Sequence, residues 1–286
     1  MGQMKYLRVS DKLERTESLD TVVSPIQRLV QRIPPGRFRD ALHGVWLGHP
    51  LHPLLVQIPI GAWLSAGVLE MAGDGERHAR RLIGIGLLAS APAALAGSAD
   101  WAEQHEQQMR VGVVHAAANT TALTLYLGSL FARSRRRIAL GKALSYAGLA
   151  AVAAGGMLGG DISYRQAGGV NHAEAVAHLV EPGWHELAPL ETLKDGQASR
   201  AMLGEVPLLA VRDGGRVYVL ADRCAHMSGP LSDGELAGGC VTCPWHGSRF
   251  QLADGSVVRG PATAPQPAFE TRVREGMVEV CLPGAG

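Results

Sequence analysis

At 286 residues the chain is long enough for two domains of ordinary size, and its formal net charge of +1 supplies neither the basic surface that nucleic acid needs nor a strong acidic bias. Four cysteines, three of them between positions 224 and 243, are too few and too clustered for the disulfide framework of a small secreted domain, and they point to metal instead. Residues 50–160 are dominated by Ala, Gly, Leu, Ile and Val while both flanks have ordinary polarity, so a membrane segment is hidden in the average.

Residues 1–45 read as a polar lead-in with one short amphipathic helix, carried by Val22, Val23, Ile26, Leu29 and Val30 and broken by Pro34-Pro35-Gly36. Acids and bases alternate through residues 1–40 without an apolar core, so no signal peptide is expected and an internal helix would direct insertion. Four apolar stretches follow, at 53–72, 82–99, 111–132 and 139–160, each about the ~20 residues that a hydrocarbon layer requires. They predict an all-α bundle of four transmembrane helices within residues 46–172. A buried soluble bundle is the alternative, because Gln57, Glu70, His115, Asn119 and Lys142 interrupt the runs. The small residues Gly84, Gly86, Ala89, Ala93, Ala96, Gly97, Gly155 and Gly156 favour the membrane, where close backbone approach drives helix association.

Residues 173–183 read as a short linker. From there the pattern changes to alternating runs at 206–211, 216–220, 256–258 and 277–281, separated by Asp213-Gly214-Gly215, Asp254-Gly255 and Glu275-Gly276 turns. Residues 184–286 are therefore expected to form a small all-β domain.

That domain carries Cys224-Ala-His226 and, after sixteen intervening residues, Cys243-Pro-Trp-His246. Each loop offers one thiolate and one imidazole. A [2Fe-2S] cluster with two Cys on one iron and two His on the other uses this donor set, pairing Cys224 with Cys243 and His226 with His246. A tetrahedral zinc site is the competing expectation, with Cys240 as a spare thiolate, although zinc sites more often pair like with like in each loop.

The stretch Cys-Ala-His-Met-Ser-Gly-Pro-Leu followed by Cys-Pro-Trp-His-Gly-Ser-Arg-Phe resembles the Rieske ferredoxin family over about 184–283. The resemblance implies a Rieske [2Fe-2S] centre, one-electron transfer and iron ligation by Cys224, His226, Cys243 and His246. Quinol-oxidising members of cytochrome bc complexes join an extra Cys in each loop as a disulfide. Here Ser228 or Gly229, and Trp245, stand in those regions, so the disulfide is expected to be absent. In the family a Ser and a Tyr hydroxyl donate hydrogen bonds to the cluster and a ligand sulfur. By motif position they fall on Ser248 and on Phe250, which cannot donate, so a potential below that of the bc-type proteins is expected. Cys240 and Cys281 are expected to bind no iron.

Helix parity places the start of the first helix, the end of the second, the start of the third and the end of the fourth at one membrane face, with the Rieske domain. His49, His52, Asp100, Trp101, His105, His115, Asn119, Asp161 and His172 fall at that level, and ionisable groups in membrane helices are candidates for function. Through Gly48-His-Pro-Leu-His-Pro-Leu-Leu, Pro59-Ile-Gly-Ala-Trp63, His115-x₃-Asn119 and Gly159-Gly-Asp-Ile-Ser-Tyr164, residues 45–172 resemble the bacterial membrane family called domain of unknown function 2231. Three roles stay open for His52, His115 and His172: axial ligands of a b-type haem, a quinone or quinol site, or helix capping alone.

Arg77, Arg80, Arg81, Arg133, Arg135, Arg136, Arg137 and Lys142 flank the second and fourth stretches, against Arg110 alone in the loop 100–111, which places those basic segments in the cytoplasm and the cluster domain outside. Ser134-Arg-Arg-Arg-Ile-Ala-Leu140 resembles a twin-arginine export motif, in keeping with translocation of a folded cluster domain. Eight Lys and Arg in the lead-in argue the other way. Together the sequence predicts a multi-pass membrane protein carrying a [2Fe-2S] cluster, more an electron carrier or oxidoreductase component than a stand-alone enzyme. Its partner would be a redox protein or a membrane quinone, with the electron-transfer subunit of a quinol-linked oxidoreductase or the ferredoxin component of an oxygenase as alternatives.

Overall fold

The computed structural model describes residues 9–73 and 75–283; the first eight residues of the expected lead-in and the last three of the expected β domain lie outside it. The chain forms two compact units, Met1–Pro34 with Leu51–Gly168, and Pro35–Pro50 with Gly169–Gly286.

In the first unit a short helix, α1 (Asp20–Val30), precedes four long ones: α3 (Gln57–Ala72), α4 (Glu76–Trp101), α5 (Glu106–Ser134) and α6 (Ile138–Gly160), while α2 (Arg37–His43) belongs to the second unit. A single helical turn, His52–Leu55, leads into α3, and Gly73 ends α3 in the left-handed conformation that favours glycine. Among the described residues three helical segments are long and apolar enough to cross a membrane: His52–Ala72, Glu76–Trp101 and Ile138–Arg165. Helix α5 has the length, but His115, Asn119, Thr120, Thr121 and Thr124 lower its hydropathy. The lead-in helix expected at this position is α1, and most of its apolar side chains lie on the surface. Val23 is buried, whereas Val22, Ile26 and Leu29 are exposed, and Asp20 is tied to Arg110 of α5 at 2.6–2.7 Å.

Small residues let the helices approach. A Cβ on Gly86 would stand 2.3 Å from the Trp63 indole, and one on Gly148 would stand 3.0 Å from the Tyr126 ring. Trp63 and Tyr126 stack with centroids 4.4 Å apart. At the end of the bundle where α3 stops and α4 begins, the fully buried Arg133 pairs with Glu70 and Glu76 and donates from Nε to Ser129 at 3.0 Å. Arg133 is therefore no loop charge but the centre of a buried ion network, which low polarity makes costly to break.

The second unit is built on two antiparallel sheets. One has the order β1-β10-β9-β4-β3-β2, from β1 (His185–Pro189), β2 (Ala198–Leu203), β3 (Val206–Asp213), β4 (Arg216–Ala221), β9 (Ala268–Arg274) and β10 (Met277–Cys281). The other has the order β5-β6-β7-β8, from β5 (Glu235–Ala237), β6 (Cys240–Thr242), β7 (Arg249–Gln251) and β8 (Val257–Arg259). Strand β3 explains its own unbroken apolar run: Val206, Leu208 and Ala210 enter one core cluster, and Leu209 and Val211 enter another on the opposite face. The second cluster lies under the two Cys/His loops. Residues 173–183 are packed rather than free, with Ala173, Val176 and Val180 buried in these cores. Segment Pro35–Pro50 joins this unit through Asp40, whose Oδ1 accepts the Gly260 N–H at 3.0 Å, and through Val45, which lies where a Cβ on Gly260 would fall.

Candidate metal centre

The loop after β4 brings Cys224 and His226, and the β6–β7 loop brings Cys243 and His246. The loops are made rigid by main-chain bonds: Ser228 N–H donates to Cys224 O and Cys224 N–H to Gly229 O, both at 2.8 Å, and Cys243 N–H donates to Ser248 O at 2.8 Å. Gly229 has to be small, because a Cβ there would stand 2.9 Å from Cys243 Sγ and 3.0 Å from the Trp245 ring.

The four donors arrive as two like pairs. Cys224 and Cys243 are buried, and their sulfurs hydrogen-bond to each other. That bond, together with burial, pushes the Cys224 thiol up, while the same bond holds Cys243 down at about 7, assisted by the N–H groups of Trp245 and His246. Backbone N–H groups of His226 and Met227 likewise point at the Cys224 sulfur. The imidazoles of His226 and His246 stand with ring centroids 5.0 Å apart at 84°, half-buried beside the exposed Trp245. Among the described residues no three His, Cys, Asp or Glu side chains gather about one point as ligands of a single ion. A thiol pair with converging N–H donors and a separate imidazole pair suit a two-iron centre, in which each pair takes one metal.

Ser248 is fully buried; its Oγ accepts the Ala262 N–H at 2.9 Å, which leaves the hydroxyl proton for another acceptor. Phe250 is fully buried in the core. All four cysteines are free thiols; Cys240 donates to Gln251 at 3.1 Å, and Cys281 sits half-buried on β10.

Sequence reasoning missed the support beneath the first loop. The buried Gln266 accepts the Ala225 N–H at 3.0 Å and donates to Ala221 O and Arg223 O at 2.7 and 2.6 Å, clamping the backbone on either side of Cys224. Buried Asp222 accepts the Ser232 N–H at 2.6 Å. Neither residue lies in a motif, and the only hint is a polar side chain in a run of Pro and Ala at 261–267.

The helical candidates part company. His52 and His115 come together, with ring centroids 6.4 Å apart. Nδ1 of each lies 2.8 Å from a helix carbonyl, Ala93 O and Gly155 O respectively, and Asn119 Nδ2 reaches His115 Nε2 at 3.1 Å. Nε2 is the atom that an axial histidine offers to a haem iron, and on His115 it is the atom that Asn119 contacts. Asp161 is engaged by Arg165 at 2.6 Å and by Ser10, and Trp101 donates to Met109 O at 3.0 Å. His172 belongs to the second unit, where its N–H donates to Ala225 O at 2.9 Å, and His49 is exposed with Nδ1 3.0 Å from Pro50 O.

A family profile described as Rieske [2Fe-2S] domain matches residues 183–270, and one described as Predicted membrane protein (DUF2231) matches residues 48–172. Ferredoxin CarAc of Metapseudomonas resinovorans is 34% identical over 98 residues, covering 34% of this chain and 92% of that protein. The anthranilate 1,2-dioxygenase ferredoxin subunit of Burkholderia cepacia is 29% identical over 97 residues, covering 34% of this chain and 90% of its own length. A chain of the solved complex of reduced oxygenase and oxidized ferredoxin in carbazole 1,9a-dioxygenase is 33% identical, with a TM-score of 0.32, covering 34% of this chain and 92% of that one.

Proposed function

Because the chain belongs to the Rieske [2Fe-2S] family through its C-terminal domain and carries a DUF2231 membrane domain before it, and is thus a membrane-anchored electron-transfer protein, we propose that Cys224 and Cys243 bind one iron of the cluster and His226 and His246 the other. The observation that carries this assignment is the separation of the donors into a buried thiol pair and a half-buried imidazole pair. The imidazole side, beside the exposed Trp245, is the edge at which a redox protein docks and one electron passes. By likeness to the dioxygenase ferredoxins, that partner is an oxygenase or a reductase. A membrane quinone is the second reading, favoured by the imidazole pair between the helices. The eight basic residues flanking the second and fourth helices support an extracytoplasmic cluster domain, although one of them, Arg133, is neutralised by burial with Glu70 and Glu76.

Low-temperature electron paramagnetic resonance of the dithionite-reduced, detergent-purified protein tests the ligand set, with iron and zinc analysis of the same sample. A rhombic signal averaging about 1.9 is expected for histidine ligation of one iron. Stoichiometric zinc without that signal would sink the assignment. We further assign the Ser248 hydroxyl as a donor to the cluster. Ser248→Ala is expected to keep the signal and lower the midpoint potential in a redox titration, because a hydrogen bond that stabilises the reduced cluster is lost.

A further inference from the structure

We infer that His52, His115 and Asn119 form a binding site for a hydroxyl of a lipid-soluble quinol, and that the site selects the reduced form over the oxidised one. The inference rests on the second reading above, in which the helical part meets a membrane quinone.

Polar side chains between membrane helices need partners, and here the partners fix the chemistry. A carbonyl can only accept, so the bonds to Ala93 O and Gly155 O place a proton on Nδ1 of both rings and leave Nε2 of each neutral ring as a lone pair. The Nε2 of His115 takes the Asn119 amide at 3.1 Å, and the same amide nitrogen donates to His115 O at 3.0 Å. Among the described residues no donor reaches Nε2 of His52. The open function is thus an acceptor.

The neighbouring helices are thinned where these groups enter. A Cβ on Gly97 would stand 2.6 Å from His52 Nδ1, one on Gly155 2.7 Å from Asn119 Oδ1, and one on Gly159 3.2 Å from His115 Cε1. His52 and His115 are themselves half-buried, and Pro53, Leu54, Ala116 and Ala117, next to them in the chain, are apolar and exposed on the outer surface of their helices. His115 lies nine residues into α5, about 14 Å along its axis at 1.5 Å per residue. A ligand reaching this depth through lipid must be apolar with a hydrogen-bonding head. A quinol hydroxyl donates to the His52 lone pair. The oxidised head offers only carbonyl oxygens, which oppose it.

The test uses the full chain in lipid nanodiscs, titrated calorimetrically with decylubiquinol and with decylubiquinone. The reduced form is expected to bind about tenfold more tightly, the worth of one hydrogen bond. His52→Phe should abolish that preference. His52→Gln, which can donate to Ala93 O and still present an oxygen acceptor, should retain it. Gly97→Ala, whose methyl displaces the imidazole, should weaken binding of the reduced form by a similar factor. Equal affinity for the two forms, or a preference untouched in His52→Phe, overturns the inference. The paramagnetic signal of the same samples reports separately on the cluster, so loss of quinol selectivity with an intact signal sinks only this site, and selectivity without a signal sinks only the ligand assignment.

Discussion

Both units bury polar chemistry, and they satisfy it differently. In the helical unit, buried charge is neutralised locally: Arg133 holds Glu70 and Glu76, and its remaining donors go to hydroxyls of the same bundle. In the β unit, the buried groups of the cluster loops point at two sulfurs, with main-chain N–H donors converging on them and Gln266 fixing the backbone behind. The first arrangement ties α3, α4, α5 and α6 together. The second is a socket whose inward-facing donors gain their full use only from a cluster. Lipid explains the contrast, since an unpaired charge between helices has no water to turn to, whereas loops at a domain edge can be shaped for a ligand.

Substitutions can separate the two. Cys243→Ala should have the largest effect: the paramagnetic signal and cluster iron vanish while the helical circular dichroism stays. Arg133→Leu should act in the other unit, lowering the stability of the bundle by about 3–5 kcal/mol in detergent denaturation, because two carboxylates lose their buried partner. Its cluster signal per iron should be unchanged, and a joint loss of both would mean that the units do not act independently. Gln266→Leu strands the Ala225 N–H and two carbonyls, and should cost about 1–3 kcal/mol, seen as earlier thermal bleaching of the cluster absorbance. Cys281→Ser should change stability by no more than about 0.5 kcal/mol and leave the iron content intact, since the side chain is only half-buried at the end of β10.

What was legible in the sequence followed from locality. Cys224 and His226, and Cys243 and His246, are near neighbours in the chain, so the motif shows without the fold, and the apolar stretches at 82–99 and 139–160 lie within α4 and α6 because twenty apolar residues leave few alternatives. Strand β10 was visible from alternation and β3 from an apolar run, each bounded by Gly turns, but β5, β6 and β7 are three residues each, too short for any period. The Gln266 clamp and the Arg133 network join residues about 40 to 60 positions apart, a juxtaposition that only the fold creates. Arg133 looked like a loop charge because sequence cannot show which side of a helix end faces inward.

The bond between Asp40 and Gly260 joins residues 220 positions apart. The piece carrying Asp40 is synthesised before the helical bundle, and its receptor after it, so the β unit is a two-part assembly interrupted by a long insertion. Excision of residues 169–286 as a soluble fragment would remove one of those parts. The fragment would lose an acceptor at Gly260 and the cover provided by Val45, and a synthetic peptide of residues 35–50, added in trans, should restore both and raise the melting temperature of the fragment with the logarithm of peptide concentration above its Kd.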